Sequence, residues 1–128
     1  MTPNEIKGLQ HGNSPVVLRP FKNFSDFFRE VVDWQRKTFG HKSGQVPIGT
    51  LKHIIKEVQE VMVETDSCKR EMEAVDLLFL VIQLFDRLGM SLSDVLTLGW
   101  QKLDINKSRT WPPVVDGEPT EHLKGGGE

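Results

Sequence analysis

The stretch from Met72 to Phe85, stopped at Gly89, is apolar on nearly every side of a helix and yet carries Asp76 inside Ala74-Val75-Asp76-Leu77-Leu78-Phe79-Leu80. A helix of this kind has to be covered by others, and a carboxylate buried in it without a partner costs several kcal/mol. Asp76 is therefore expected to be buried beside a cation or a basic side chain. Asp66-Ser67 before the stretch makes a short break and a candidate N-cap. On the other side of that break, Leu51, Ile54, Ile55, Val58, Val61 and Met62 repeat at helical spacing to about Thr65. The two segments predict an antiparallel helical hairpin.

Two more helices complete the pattern. Phe24, Phe27, Phe28, Val31, Val32 and Trp34 recur at helical spacing from Asn23 until Phe39-Gly40. Ser91 caps a last helix from Leu92 to about Lys107. His41 to Gly49 reads as a turn-rich connection, and no convincing strand or repeat is present. The expected architecture is all-α. Residues 1–22, rich in Pro and Gly, read as an irregular arm, 23–110 as the helical domain and 111–128 as an extended tail.

The acids carry the chemistry. Glu57 and Glu60 stand i, i+3 on the second helix, and Glu73 and Asp76 repeat that spacing on the third, so each pair shares a helix face. Across a hairpin the two pairs supply four carboxylates to one pocket, with Glu64 one turn further on. Hard divalent cations take such oxygen ligands, and Mg²⁺ keeps waters and substrate phosphate oxygens beside a few carboxylates. Di-iron bundles use Glu-x-x-His on two helices, a pattern absent here, so an all-oxygen set points to Mg²⁺, with Mn²⁺ as substitute. Taken singly, Glu57 and Glu60 also fit a solvated salt-bridge face, Asp76 a structural ion pair and His53 a solvent-facing histidine.

Composition removes other classes. The formal charge of -2 offers no basic excess for nucleic acid or an anionic membrane. No segment approaches the roughly 18 apolar residues of a membrane span, and the first residues lack a signal-peptide core, so a cytoplasmic protein is expected. Cys68 stands alone, which excludes an internal disulfide.

Glu57-Val-Gln-Glu60 followed by Glu73-Ala-Val-Asp76 resembles the ExxE…ExxD signature of the MazG-like all-alpha nucleotide pyrophosphohydrolases. Trp34-Gln-Arg-Lys-Thr-Phe-Gly40, the segment Gly49 to Glu57, Asp76-Leu-Leu-Phe-Leu80 and Lys102-Leu-Asp-Ile-Asn-Lys-Ser-Arg-Thr-Trp-Pro112 are similar to the branch of dATP/dGTP pyrophosphohydrolases. The likeness runs over roughly residues 30 to 123 and includes the tail Asp116 to His122. Many members open the motif with two adjacent acids, whereas Lys56 precedes Glu57 here.

The resemblance implies a MazG-like four-helix bundle assembled as a homodimer or tetramer. It also implies Mg²⁺-dependent cleavage of a purine nucleoside triphosphate, dGTP or dATP, to the monophosphate and pyrophosphate. Glu57, Glu60, Glu73 and Asp76 would hold metal, with Glu57 or Glu60 as general base. Lys102, Asn106, Lys107 and Arg109 would meet the phosphates, and Trp34 and Trp111 could stack on the base. The competing reading is a helical module that binds nucleotide and metal without turnover.

Overall fold

The structure is a computed structural model that describes residues 23–41 and 46–124; the expected arm and part of the first connection lie outside the described residues. Among the described residues there are four helices and no strand: α1 Phe24–Phe39, α2 Ile48–Val63, α3 Ser67–Arg87 and α4 Leu92–Ser108.

The termini follow from local chemistry. Asn23 caps α1 by accepting from the Asp26 amide at 2.9 Å, and Gly40, with φ of 79°, ends it. The second helix starts earlier than the hydrophobic period suggests, at Ile48 behind Pro47, so Gly49 lies in its first turn. A proline can precede a helix without losing a bond, because the first amides have no intrahelical acceptor. The helix also stops short of Thr65: Glu64 is already extended, with ψ of 124°.

Asp66 caps α3, accepting from the amides of Cys68 at 2.9 Å and Lys69 at 3.2 Å. Arg70 donates through Nε and Nη2 to the Glu64 carbonyl, so the three-residue link is tied to the first turn of α3. At its other end α3 closes in a Schellman arrangement, Met90 N–H on the Phe85 carbonyl and Gly89 N–H on that of Asp86, with Gly89 at φ 80°.

Antiparallel register along the hairpin shows in its contacts. Thr50 meets Gln83, Glu57 feels Asp76 and Glu60 feels Glu73, each step up α2 matched by an equal step down α3. Helix α1 is fastened to α3 by polar bonds. Arg36 holds Asp86 through two bonds, of 3.1 and 2.6 Å, and His41 Nδ1 lies 3.2 Å from the same carboxylate. Gln35 donates to the Phe79 carbonyl at 2.8 Å, and the Phe27 and Phe79 rings meet at 5.8 Å. The bond to Asp86 raises the Arg36 guanidinium above its ordinary value.

The interior is unusual. Among the described residues, Phe28, Val31, Leu80 and Ile82 are the buried hydrophobic ones, whereas Gln35, Thr50, Glu57, Gln83 and Asp86 are buried polar ones. Meanwhile Ile55, Val58, Met62 and Val63 of α2 and Met72, Val75 and Leu78 of α3 face outward. Helix α4 buries nothing fully.

The chain divides into two compact units between Leu92 and Ser93. In the second, the residues after α4 double back. Trp111 donates its indole N–H to the Asn106 carbonyl at 2.8 Å, and its ring meets His122 edge-on. Leu123 N–H reaches the Thr110 carbonyl at 2.7 Å.

Asp86 is buried while Arg36 is half exposed, so removing the carboxylate costs its bidentate bonds without leaving a buried charge behind. Asp86→Ala is expected to lower stability by about 1 to 2 kcal/mol, measured by denaturant unfolding at fixed protein concentration. A loss below about 0.5 kcal/mol, the level of a surface pair, would refute this role.

Candidate functional site

Positions 57 and 60 on α2 and 73 and 76 on α3 come to one stretch of the seam because both helices keep their i, i+3 faces toward it. Carboxylate oxygens of Glu57, Glu60 and Glu73 lie within 4.8 Å of one another. Asp76 stands outside this trio but close enough for its charge to act on Glu57 and Glu73. It lines the same cavity as Glu57.

One expectation is corrected here. Asp76 is exposed, and the buried acid of the four is Glu57, at 9 % exposure. The apolar residues around Asp76 do not bury it because Met72, Val75 and Leu78 on that half of α3 are themselves uncovered in the single chain. Glu64 departs as well. Its Oε1 accepts from the Asp66 amide at 3.1 Å, so it serves the link while its charge still reaches Glu73.

The electrostatics are those of crowded like charges. Burial, then the charge and hydrogen-bonding reach of Glu60, then Asp76 and Glu73, push the Glu57 carboxyl up to about 7. Glu73 is raised by desolvation first and by Glu60 next. Glu57 Oε2 and Glu73 Oε2 are buried with no partner. The one basic side chain within 4 Å among the described residues is His53, whose Nε2 is 3.8 Å from Glu57 Oε1. Converging acids, orphaned buried oxygens and an all-oxygen donor set fit a hard divalent cation held by Glu57, Glu60 and Glu73 with Asp76 beside them.

A cavity of about 450 Å³ runs from Glu57 and Asp76 along the seam. His53, Glu57 and Asp76 line its acidic end. Trp34, 52 % exposed, stands at its edge against Phe39 with the rings perpendicular. The rest of the wall mixes apolar Phe79 and Leu80 with the polar side chains of Gln35, Thr50, Gln83 and Arg87. Thr50 Oγ1 donates to Gln83 Oε1 and accepts from Arg87 Nη1, both at 3.0 Å. Sequence reasoning passed over these four. The signal was there, because Gln83 interrupts Leu80-Val-Ile-Gln-Leu-Phe and Gln35 continues the buried stripe of Phe28 and Val31.

The remaining anticipated residues belong to the second unit. Lys102 and Lys107 are exposed, whereas Asn106 and Arg109 are half-buried and joined, Arg109 Nη1 donating to Asn106 Oδ1 at 3.2 Å. Trp111 is pinned to the end of α4 by its indole N–H.

Comparison with known proteins gives likenesses of three kinds. The family described as dATP/dGTP pyrophosphohydrolase matches residues 27–128. The "Eaa protein" of Salmonella phage P22 is 38 % identical over 96 residues, which is 75 % of this chain and 28 % of that protein. The chain thus spans little more than a quarter of that relative's length. Among solved structures, the cyanophage S-2L MazG-like pyrophosphohydrolase bound to dGDP and three catalytic Mn²⁺ ions per active site superposes with a TM-score of 0.65. The superposition covers 81 % of this chain and 96 % of that one at 23 % identity, a likeness of fold.

The raised Glu57 fixes a sign for pH. With its folded value near 7 and an unfolded value near 4.5, the folded state holds more proton between them. Stability of the metal-free protein therefore falls as pH rises through that window and levels off above about 7.5. Melting temperatures in chelator across pH 4.5 to 8 measure this, and Glu57→Gln should flatten the decline; a curve that rises through the window would contradict the burial of Glu57.

Proposed function

The chain belongs to the dATP/dGTP pyrophosphohydrolase family, and from that premise we propose that it cleaves a purine deoxynucleoside triphosphate, dGTP or dATP, to its monophosphate and pyrophosphate. The observation that carries this reading is the trio of carboxylates within 4.8 Å, two of them with buried, unpartnered oxygens, whose member Glu57 lines a cavity of about 450 Å³ together with Asp76. Such a set is unfavourable alone and suited to a cation.

Divalent ions, Mg²⁺ with Mn²⁺ as substitute, would be held by Glu57, Glu60, Glu73 and Asp76 and supply charge neutralisation for the triphosphate and its leaving group. Glu57 or Glu60 accepts the proton of the attacking water as general base. Water adds at the α phosphorus as the bond to the bridging oxygen breaks, so pyrophosphate leaves with that electron pair. Lys102, Asn106, Lys107 and Arg109 serve the phosphates, Asn106 with its oxygen held by Arg109 and its amide N–H groups left to donate. Trp34, at the cavity edge, offers its indole face to the base, and Trp111 is the second stacking candidate. A substrate drawn from nucleotide pools makes the cytoplasm the compartment in this reading.

A homo-oligomer, dimer or tetramer, is part of the same proposal. Its support is the outward apolar face of Ile55, Val58, Met62, Met72 and Val75, with Met62 78 % exposed, because contiguous apolar surface of this kind marks an interface. Light scattering should give a multiple of the 14.6 kDa chain, and Met62→Asp with Ile55→Asp should shift it toward the monomer. A wild-type monomer would refute assembly.

Activity is tested by pyrophosphate release from all common deoxynucleoside and nucleoside triphosphates with Mg²⁺ or Mn²⁺. Release from dGTP or dATP should drop by about 100-fold or more in Glu60→Ala and Asp76→Asn. Nucleotide-dependent stabilisation without pyrophosphate release would make the chain a binding module instead.

A further inference from the structure

In the second unit the end of α4 is organised around Asn106. The last carbonyls of a helix have no following turn to meet, and here side chains and the outgoing backbone take them up. The Ile105 carbonyl accepts from the Ser108 hydroxyl at 2.7 Å, and the Asn106 carbonyl accepts twice, from the Arg109 amide at 3.2 Å and from the Trp111 indole N–H at 2.8 Å. The Asn106 side chain is held as well. Arg109 Nη1 donates to its Oδ1 at 3.2 Å, and because a guanidinium only donates, the amide has one orientation and keeps Nδ2 for another acceptor.

Trp111 does not keep its place unaided. Pro112 and Pro113 follow it, both without an N–H, so the helix cannot continue through them. A turn then brings the chain back: the Glu118 N–H meets the Val115 carbonyl at 3.1 Å, with Gly117 at φ 79° in the third position, where any side chain would be strained. The return is locked at its base. Leu123 N–H donates to the Thr110 carbonyl at 2.7 Å, and the His122 ring stands edge-on to the Trp111 indole, centroids 5.8 Å apart and planes at 74°. A loop joined at both ends leaves Trp111 less freedom to abandon the Asn106 carbonyl than an open tail would.

From this arrangement we infer that residues 110–123 form a clasp on the end of α4, in which Trp111 and His122 are positioning residues that act through Asn106. The inference rests on the reading that Asn106 donates to the triphosphate. An amide that has to meet a phosphate oxygen serves only while its N–H stays aimed, because a hydrogen bond weakens steeply with misalignment, and the last turn of a helix otherwise frays. The clasp has an electrostatic effect in the same direction. The C-terminal carbonyls carry the negative end of the helix dipole, which disfavours a phosphate, and the indole N–H on the Asn106 carbonyl offsets part of it. This role of Trp111 is distinct from stacking on a base, which a phenyl ring would preserve.

The test is a set of double-mutant cycles in kcat/KM for the better substrate of dGTP and dATP. Trp111→Phe keeps a ring and removes the indole N–H, His122→Ala removes the edge contact, and Gly117→Val opens the turn while leaving the other side chains in place. Each should lower kcat/KM about fivefold or more in the otherwise unaltered protein and under about twofold in Asn106→Ala, since groups that act through one residue lose their effect once it is gone. Losses that add in full to that of Asn106→Ala overturn the inference, and so does a Gly117→Val protein as active as the wild type. Exchange of the Trp111 indole hydrogen with solvent, followed by NMR with Trp111→Phe assigning the resonance, reads the clasp without turnover. It should quicken about tenfold in His122→Ala and Gly117→Val, and an unchanged rate refutes the clasp. If the wild type cleaves no triphosphate, the same cycles in the dissociation constant for Mg²⁺-pyrophosphate decide. Losses that fail to add keep the clasp while the pyrophosphohydrolase reading falls, and additive losses, or no binding, overturn the clasp too.

Discussion

Three carboxylates within 4.8 Å of one another repel, and the α2–α3 hairpin holds them there. Everything else in the first unit serves that register. The Asp66 cap and the grip of Arg70 on the Glu64 carbonyl set where α3 begins relative to the end of α2. A slip of one residue would turn one helix by 100° and carry its acids off the seam. The cost of crowding them appears in Glu57, raised to about 7 by burial and its neighbours. The metal-free cluster relieves the repulsion by keeping a proton on Glu57, and a divalent cation would relieve it with all the carboxylates ionised.

The interior around this seam is polar to a degree that a small domain rarely sustains. Helix α1 is anchored by Arg36 and His41 on Asp86 and by Gln35 on the Phe79 carbonyl, directional bonds that fix its rotation. Ordinary apolar packing would supply stability without fixing which side chains face the cavity. Apolar surface is spent on the outside instead, along α2 and α3.

The cavity has two chemically different ends, and the spacing along α3 sets them apart. Asp76 lies at the acidic end, and Gln83 and Arg87 two and three turns further along form the hydrogen-bonding end. A nucleotide has the same division into an anionic chain and a flat polar base. One helix carries residues of both ends of the cavity, and any distortion of α3 would disturb the two together.

Much of this was written in the linear pattern. Apolar periodicity located the helices, Asn23 and Asp66 announced their starts, Gly40 and Gly89 their ends, and the i, i+3 acids announced their own meeting, because a helix's face depends on spacing alone. What periodicity cannot say is which face is covered. The sequence made Asp76 look buried, and the tertiary structure buried Glu57, because one chain covers only one side of α3. Glu64 was within a turn of the site by count and was claimed by the Asp66 amide in space. The wall of Gln35, Thr50, Gln83 and Arg87 was the least legible feature. Its residues are scattered over three helices, and the direction in which each amide points is decided by the neighbour it meets. Spacing along one helix is a local property fixed by the backbone's geometry, whereas burial and hydrogen-bond polarity are relations between helices that exist only once they have packed.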